Sequence, residues 1–361
     1  AQFVTAVSDT TVTLGNSTYL NENGSTYVAY IFADGDEANN QIFGDDGDEA
    51  IIKMGSFTTN GSGVIATDIN LGFEPQWLLV KRFDNTGSWN LFDTMRGFHG
   101  GVDTVGNNKY VRADTNGAEG NNASVNGEFI TATGFGANGG GVTGSANANF
   151  LYVAIRRGPM KEPTAGTDVF ATSSISGGDD DVQLTTGNLV DLGWQYLNGN
   201  GAYFFTRLLG EGYLNPTSNA AANTSASTEF DYMDGFVPNY AGNISGFSPR
   251  QVYGFRRYPK VFDVVVYKGT GSNTTYAHNL GVVPEMMIIK QTSNSDYGWF
   301  VYESNGGKDK YMYLNAVDQQ NTSSNIFGNT PTATAIVANP TNNYINASGE
   351  THIALLFASL S

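Results

Sequence analysis

The sequence contains no cysteine, little charge and no long apolar run, and each absence excludes a class of structure. With no cysteine among 361 residues, disulfide bonds and thiol chemistry are both excluded. Lys and Arg number 18 against 34 Asp and Glu, which gives a formal net charge of −16. Nucleic acids and anionic membranes require a basic surface instead. No apolar run approaches the roughly 20 residues that span a bilayer. We therefore expect no nucleic-acid partner and no membrane insertion.

The residues that are abundant favour strands and turns. The chain has 45 Gly, 22 Phe and 19 Tyr, and only 14% of its residues are charged. Aromatic and β-branched residues favour strands, whereas Gly, Asn and Ser favour turns. No long stretch places apolar residues at helical spacing. The sequence therefore predicts an all-β protein.

One phrase occurs twice, about two hundred residues apart. "LGFEPQWLLVKRFDNTGSWNLFDT" (Leu71–Thr94) and "LGVVPEMMIIKQTSNSDYGWFVYES" (Leu280–Ser304) share Leu-Gly, a following Pro, and an apolar run that ends in Lys. A weaker third copy, Asn188–Leu214, has the same order of strand, turn and aromatic strand without the Pro and the Lys. The three phrases indicate the opening half of a repeated unit.

Four further stretches indicate the closing half of such a unit. Each follows a polar stretch rich in Asn, Gly and Ser, and each is apolar on both faces or nearly so: Tyr27–Phe32, Tyr152–Ile155, Val252–Phe255 and His352–Phe357. A strand of this kind is typical of the centre of a packed sheet. Since there are three openings and four closings, we expect the chain to begin within a repeat, as a C-terminal piece of a longer polypeptide. An irregular N-terminal arm is the alternative.

These repeats predict tandem antiparallel β-sandwiches of a jelly-roll-like kind. A unit of about 100 residues can bury its own core, so we expect three sandwiches strung linearly. The predicted limits are residues 1–55 for a partial repeat with its linker, then 56–162, 163–259 and 260–361 for three complete repeats.

Some of these segments resemble repeats in tail-fibre and other virion proteins of marine tailed phages, notably those that infect cyanobacteria. The resemblance lies in "YKGTGSNTTYAHNLGVVPEMMIIKQ" (Tyr267–Gln291), with its distinctive His278–Glu285 run, in Leu71–Asp93, and in the closing "YVAYIFA" (Tyr27–Ala33). Through the repeats it extends over most of the chain, although the middle copy departs from the pattern. It implies a β-rich structural module on the virion exterior, often trimeric and often concerned with host attachment. It implies no catalytic residues.

We therefore expect a phage tail fibre or other surface fibre that acts in receptor binding and not as an enzyme. The expected partners are other copies in a trimer, other virion proteins and a host-surface glycan, and the expected location is the virion surface. One alternative is a polysaccharide depolymerase, because such enzymes use paired carboxylates; its candidates are Glu211, Glu229, Asp231 and Asp234. The other alternative is a cellular adhesin or surface-layer module.

The candidate contact residues lie in the longest variable segment, Glu211–Pro249. It carries Tyr213, Tyr232 and Tyr240 amid Asn and Ser, and such loops suit adaptable hydrogen bonding to glycans. Packing of these tyrosines within or between modules is the alternative interpretation. For the four tryptophans we expect core packing, with Trp89 and Trp299 as alternative sugar-stacking platforms because both follow a polar turn.

Metal binding has two candidate regions, both acidic. Ca²⁺ prefers carboxylate and carbonyl oxygens, and the candidates are the triplet Asp179, Asp180 and Asp181 and the run Asp45–Glu49. Solvated linkers explain both clusters equally well. His99, His278 and His352 are far apart in the sequence and lack metal-ligand spacing. Apart from Ca²⁺, we expect no cofactor.

Overall fold

The chain forms two compact units, Ala1–Asp34 and Gly35–Ser361. The computed structural model describes residues 3–8, 10–32, 50–100, 108–122, 127–157, 163–175, 183–199, 201–223, 228–238, 250–338 and 343–359. Nearly all regular structure in these ranges is antiparallel β-sheet, which confirms the predicted all-β class. Among the described residues, no helix is both long and apolar enough to cross a membrane.

The first unit contains one hairpin, formed by β1 (Val4–Val7) and β2 (Val12–Leu14). The prediction of a closing strand at Tyr27–Phe32 is wrong, because this stretch has no strand and is exposed; Tyr30, for example, is 84% exposed. No described strand of the unit pairs with it, and a strand without a neighbour leaves its backbone groups unpaired. That residues 1–55 are part of a repeat stays a prediction.

The second unit contains three successive groups of strands. We call them the first module (residues 50–157), the second module (163–259) and the third module (260–359). The first comprises β3 (Ile52–Thr58), β4 (Ile69–Asn70), β5 (Pro75–Arg82), β6 (Trp89–Asp93), β7 (Asn108–Arg112), β8 (Gly120–Asn122), β9 (Glu128–Thr131), β10 (Gly134–Ala137) and β11 (Asn149–Arg156). The predicted limit at residue 55 falls inside β3, whose register with β11 is continuous.

The strands of the second and third modules follow in chain order. The second comprises β12 (Phe170–Ile175), β13 (Leu184–Thr185), β14 (Leu192–Leu197), β15 (Gly201–Thr206), β16 (Tyr213–Leu214), β17 (Gly235–Phe236) and β18 (Arg250–Phe255). The third comprises β19 (Phe262–Lys268), β20 (Thr274–Ala277), β21 (Met286–Gln291), β22 (Phe300–Glu303), β23 (Lys310–Tyr313), β24 (Asn321–Thr322), β25 (Ala335–Ala338), the short helix α1 (Asn343–Asn346) and β26 (Thr351–Phe357). The described residues of the first and second modules also contain 3-10 turns, at Gly141–Thr143, Gly166–Asp168 and Arg207–Leu209.

The main sheet has the same strand order in each module. The orders are β3-β11-β5-β6-β7-β8, β12-β18-β14-β15-β16 and β19-β26-β21-β22-β23-β24. In each, the closing strand lies between the first strand of the module and the strand of the opening phrase. β26 is buried along nearly its whole length, as expected for a strand that is covered on both faces.

A smaller sheet accompanies each main sheet. Its orders are β4-β10-β9, β13-β17 and β20-β25. In every case the short strand before the opening phrase pairs antiparallel with the strand before the closing one. This common arrangement agrees with the similarity of the phrases, while the domain limits themselves stay predictions.

The lysines that end the apolar runs of the two strongest phrases adopt the same geometry. Lys81 Nζ donates to the carbonyl oxygen of Arg82 at 2.6 Å, and Lys290 Nζ donates to that of Gln291 at 2.5 Å. Each lysine lies near the end of a strand whose neighbours are apolar. The bond to the following carbonyl therefore satisfies an ammonium group that the strand partly or fully buries.

The three modules share a core and are not a linear string of separate sandwiches. One apolar cluster contains Phe150 of the first module, Leu208 of the second and Val264 of the third. Phe255 of the second module lies 5.3 Å from Phe262 of the third, between ring centroids. Apolar residues on the outer surface of one module pack against those of its neighbours. Residues Gly35–Ser361 therefore form one compact unit.

The buried His352 predicts acid sensitivity. It stacks on Tyr267, with ring centroids 5.2 Å apart, and its Nδ1 lies 3.1 Å from the Glu350 carbonyl oxygen. Burial lowers the pKa of His352 from 6.5 to about 4. Between these values the unfolded chain binds a proton that the folded chain does not. We therefore expect the free energy of unfolding to be constant above about pH 6.5 and to fall below it, by up to about 1.4 kcal/mol per pH unit.

The measurement is urea unfolding of the parent and of His352→Phe near pH 7 and near pH 5. Phenylalanine keeps an aromatic ring against Tyr267 and cannot titrate, so the pH dependence should become smaller. Burial also lowers the pKa of His278, which leaves a residual slope in the variant. An unchanged slope in His352→Phe would contradict the assignment to His352.

Candidate binding cleft

A polar cleft of about 370 Å³ lies between the first and second modules. We call it the intermodule cleft. The first module contributes the turn from Asp93 to Gly97 together with Lys109 and Glu119, and the second contributes Gly210, Glu211 and residues 228–231. Arg207 lines it as well. The size is within the range of ligand pockets, roughly 300 to 1,000 Å³.

The first wall is a turn that follows β6. Asp93 accepts from the backbone N–H of Arg96 through Oδ1 at 2.8 Å and from the Arg96 guanidinium through Oδ2 at 3.1 Å. Gly97 then adopts a φ of 105°, which a residue with a side chain would adopt only under strain. Asp93 therefore fixes the turn and points its carboxylate at the cleft edge.

A chain of ion pairs crosses from one wall to the other. Lys109 Nζ lies 2.9 Å from Glu211 Oε1 and 3.7 Å from Glu119 Oε1, and Arg96 Nη1 lies 2.8 Å from Glu119 Oε2. Glu211 raises the pKa of Lys109, and Glu119 raises the pKa of Arg96. Because these side chains are partly exposed, each pair contributes about 1 kcal/mol or less to stability. Their effect is to orient charged groups towards the cleft.

The second wall is held by backbone pairing. Glu229 and Val237 exchange two backbone hydrogen bonds, of 3.0 and 2.9 Å, and the Thr228 N–H donates to the Glu211 carbonyl at 3.3 Å. Tyr232 follows directly and is half-buried. Desolvation, together with the carboxylates of Glu229 and Asp231, raises the pKa of Tyr232. Its phenol is therefore a neutral hydrogen-bonding group beside the acidic wall.

Arg207 connects the two walls at the base of the cleft. Its Nη1 donates to the carbonyl oxygens of Thr94, at 3.4 Å, and of Phe230, and its Nη2 donates to that of Val190 at 3.0 Å. The guanidinium also lies over the Phe230 ring, 5.2 Å from its centroid. Burial lowers the pKa of Arg207 to about 10, so the group stays charged at neutral pH.

A buried cluster of charges joins all three modules behind the cleft. We call it the ionic junction. It consists of three carboxylates and three guanidiniums, those of Glu74, Asp191, Asp263, Arg157, Arg207 and Arg257. Its centre is Arg257, which binds both oxygens of Glu74 at 2.8 and 2.7 Å and Asp263 Oδ1 at 2.7 Å.

Asp191 completes the junction on the side of the second module. It accepts from Arg157 Nη2 at 2.8 Å and from the Arg257 backbone N–H at 2.7 Å. Burial opposes ionisation of the Asp191 carboxyl and of the Arg257 guanidinium. Even so, Arg157 and Arg257 hold the pKa of Asp191 below its usual value. Glu74 and Asp263 likewise hold the pKa of Arg257 well above its usual value. Asp191 and Arg257 therefore stay charged, and the ion pairs of the junction fix the relative placement of the modules that form the cleft.

The cleft contains three of the four acidic candidates predicted from the sequence. Glu211, Glu229 and Asp231 line it. Asp234 does not, and instead accepts from Gln183 Nε2 at 2.8 Å. Four charged groups of the first module were missed: Asp93, Arg96, Lys109 and Glu119. They are distant in sequence from the second wall, and the charge along the chain gives no signal that pairs them.

The tyrosine predictions separate into three outcomes. Tyr232 lies beside the cleft wall, as described above. The surface role predicted for Tyr213 is wrong, because its side chain is only 7% exposed and its ring packs 5.3 Å from that of Tyr203 and 6.0 Å from that of Phe205. Tyr240 lies outside the described residues. Of the two candidate sugar platforms, Trp299 is fully buried and Trp89 is 37% exposed.

No group of His, Asp or Glu side chains that could hold a metal ion occurs within the described residues. The predicted Ca²⁺ ligands Asp179, Asp180 and Asp181 lie outside those residues, as does Asp45–Glu49. His99 and His278 are buried in different modules, and His352 lies in the core of the third. Ca²⁺ binding at the aspartate triplet stays a prediction.

The structure defines an all-β protein of three modules with a charged cleft between two of them. The chain matches the model of a family described as a domain of unknown function, DUF7483, over residues 2–159 and 208–361. These residues are most of the chain, and the protein belongs to this family. Comparison with curated proteins and with solved structures gives no match.

Proposed function

We propose that the protein is a phage virion-surface protein, a tail fibre or other surface fibre, that binds a host-surface glycan without turning it over. The resemblance of its repeats to virion proteins supports the location. The all-β architecture, with turns rich in Gly, Asn and Ser, is compatible with a structural role. The proposed contact site is the intermodule cleft.

The observation that carries this proposal is the density of fixed hydrogen-bonding groups on both walls of the cleft. Carboxylates of Glu211, Glu229 and Asp231 face the guanidinium of Arg96 and the ammonium of Lys109. Carboxylates accept from hydroxyl groups, and the two cations donate to hydroxyl and ring oxygens. A glycan presents both kinds of partner along its length, so a cleft with both signs of charge suits an uncharged sugar chain.

The ion pairs favour binding over catalysis. Glycoside hydrolysis by two carboxyl groups requires one of them to be protonated as the acid. Glu211 is paired with Lys109 at 2.9 Å, and Glu119 is paired with both Arg96 and Lys109. A carboxylate oxygen that already accepts from a cation is poorly placed to give a proton to a leaving group. We therefore propose recognition as the role of the cleft.

The test is binding of purified cyanobacterial envelope polysaccharide to the parent protein and to Glu229→Gln and Tyr232→Ala. We expect saturable binding that each variant weakens by about 3- to 10-fold, the equivalent of one lost hydrogen bond. Asp309→Asn is the matched control, because Asp309 is exposed, pairs with Lys308 and does not line the cleft.

The same samples are assayed for new reducing ends. Their release by the parent, and its loss in Glu229→Gln, would replace this proposal with the depolymerase alternative. Recovery of the protein with cell envelopes and not with purified virions would instead favour a cellular adhesin or surface-layer module. A mass in solution of three chains, by light scattering, is the result expected for the trimer.

A further inference from the structure

A second cavity, of about 400 Å³, lies between the first and third modules. It is separate from the intermodule cleft and shares no lining residue with it. β4 and β9 of the first module form one side, and β19 and β20 of the third form the other. Like the cleft, it exists because two modules are held together, and the function proposed above does not use it.

The lining combines an apolar floor with hydroxyl groups. Ile130, Ala132 and Val266 provide apolar surface, and three threonines provide hydroxyls: Thr131, Thr133 and Thr275. Thr270 lines the cavity as well, but its hydroxyl already bonds that of Thr274 at 2.7 Å. Tyr267 and Tyr276 line it too, but their hydroxyls already donate to the Ile345 carbonyl oxygen at 2.8 Å and to Asn346 Oδ1 at 2.5 Å. These tyrosines therefore supply shape and not new hydrogen bonds.

One polar group of the lining lacks a hydrogen-bond partner in the described part of the chain. The side-chain nitrogen of Asn138, Nδ2, is buried without a hydrogen-bond partner among the described residues. A buried donor left unpaired destabilises the folded protein. This nitrogen has almost no accessible surface, so a hydroxyl, ring or carbonyl oxygen of a ligand reaches it when the Asn138 side chain turns into the cavity.

The charges of the lining select against ions. Asp68 and Lys268 are its charged residues, one of each sign. Their electrostatic interaction is also visible in the pKa of Asp68, which burial raises and Lys268 opposes. Because these opposite charges leave the lining without net charge, a charged ligand would lose its hydration with no net counter-charge in return, and a neutral ligand would not.

We propose that this cavity binds a neutral polyhydroxylated ring, of the size and chemistry of one hexopyranose unit. The ring has one comparatively apolar face for the floor around Ile130 and Val266. Its hydroxyls are both donors and acceptors, which suits the threonines and gives Asn138 Nδ2 an oxygen to bind. The site is independent of the cleft, so either can fail without the other.

The experiment titrates the full chain with four probes of equal ring size: glucose and N-acetylglucosamine, which are neutral, glucuronate, an anion, and glucosamine, a cation. Chemical-shift changes or calorimetry measure the affinity. We expect saturable binding of at least one neutral probe and binding of both charged probes that is at least about 10-fold weaker. Equal affinity for glucuronate, or no saturable binding of either neutral sugar, would overturn the proposal.

Variants then place the binding in the cavity. Thr275→Trp fills the mouth from an exposed position and should abolish binding, and Asn138→Ala should weaken it by about 3- to 10-fold. Thr115→Trp is the matched control, since Thr115 is an exposed threonine outside the lining. Full binding by Thr275→Trp would mean that the sugar binds elsewhere.

Discussion

Replacing Arg257 with methionine should lower the free energy of unfolding by about 3 to 5 kcal/mol. The side chain is 3% exposed and is the shared partner of Glu74 and Asp263, which are 5% and 0% exposed. Methionine fills much of the same volume but leaves two buried carboxylates without their cation. The free energy of unfolding falls because two buried carboxylates are left unpaired, and not because packing is lost. Urea unfolding near pH 7 measures it.

Two controls make this result specific. Lys308→Met removes the cation of an exposed pair with Asp309, whose side chains are 46% and 48% exposed, and should change stability by no more than about 0.5 kcal/mol. Adding Glu74→Gln and Asp263→Asn to Arg257→Met should recover part of the loss, because neutral amides are less costly to bury than unpaired carboxylates. Arg257→Met within about 1 kcal/mol of the parent would show that the junction is not a major source of stability.

Replacing Trp299 with alanine should cost a similar amount, about 3 to 5 kcal/mol. Trp299 is fully buried, and its ring packs edge-on against Phe204 of the second module at 5.2 Å. Its Nε1–H also lies 3.2 Å from the carbonyl oxygens of both Asn215 and Ser218. The substitution therefore opens a cavity and removes a donor at the contact between the second and third modules.

Hydrogen exchange distinguishes this loss from a general destabilisation. Relative to the parent, Trp299→Ala should accelerate exchange of the backbone amides near Asn215 and Ser218 more than exchange of the amides of β11 in the first module. Trp89→Ala is the control, because Trp89 is 37% exposed and should cost about 1 kcal/mol or less. Uniform acceleration in all three modules, or an unfolding free energy equal to that of the parent, would contradict the assigned role.

The sequence contains enough information to predict the strands of the second unit. Alternating aromatic and aliphatic residues between turns rich in Gly and Asn predict antiparallel sheets directly, and the repeated phrases place equivalent strands in equivalent positions. The pattern fails at Tyr27–Phe32, because an apolar run forms a strand only where neighbours complete its hydrogen bonds. It fails also at Tyr213, since a tyrosine amid Asn and Ser has the same local composition whether it faces a core or a surface.

From the sequence, only residues of the second wall of the cleft could be predicted. Glu211, Glu229 and Asp231 are close in sequence and could be grouped. Lys109, which pairs with Glu211, and Arg96 on the same wall are more than a hundred residues away from Glu211. Contacts between modules depend on how whole sheets pack, and single residues give little local signal of this. A usable signal was present in the Arg-Arg pairs of "AIRRGP" and "GFRRYP", because two arginines directly after a buried strand require carboxylates nearby.

The ionic junction also constrains how this sequence can diverge. Its three carboxylates and three guanidiniums balance in charge, and nearly all of them are shielded from water. A single substitution that alters charge disturbs this balance, while a matched pair of substitutions preserves it. We therefore expect substitutions at the six positions to occur together, across module boundaries.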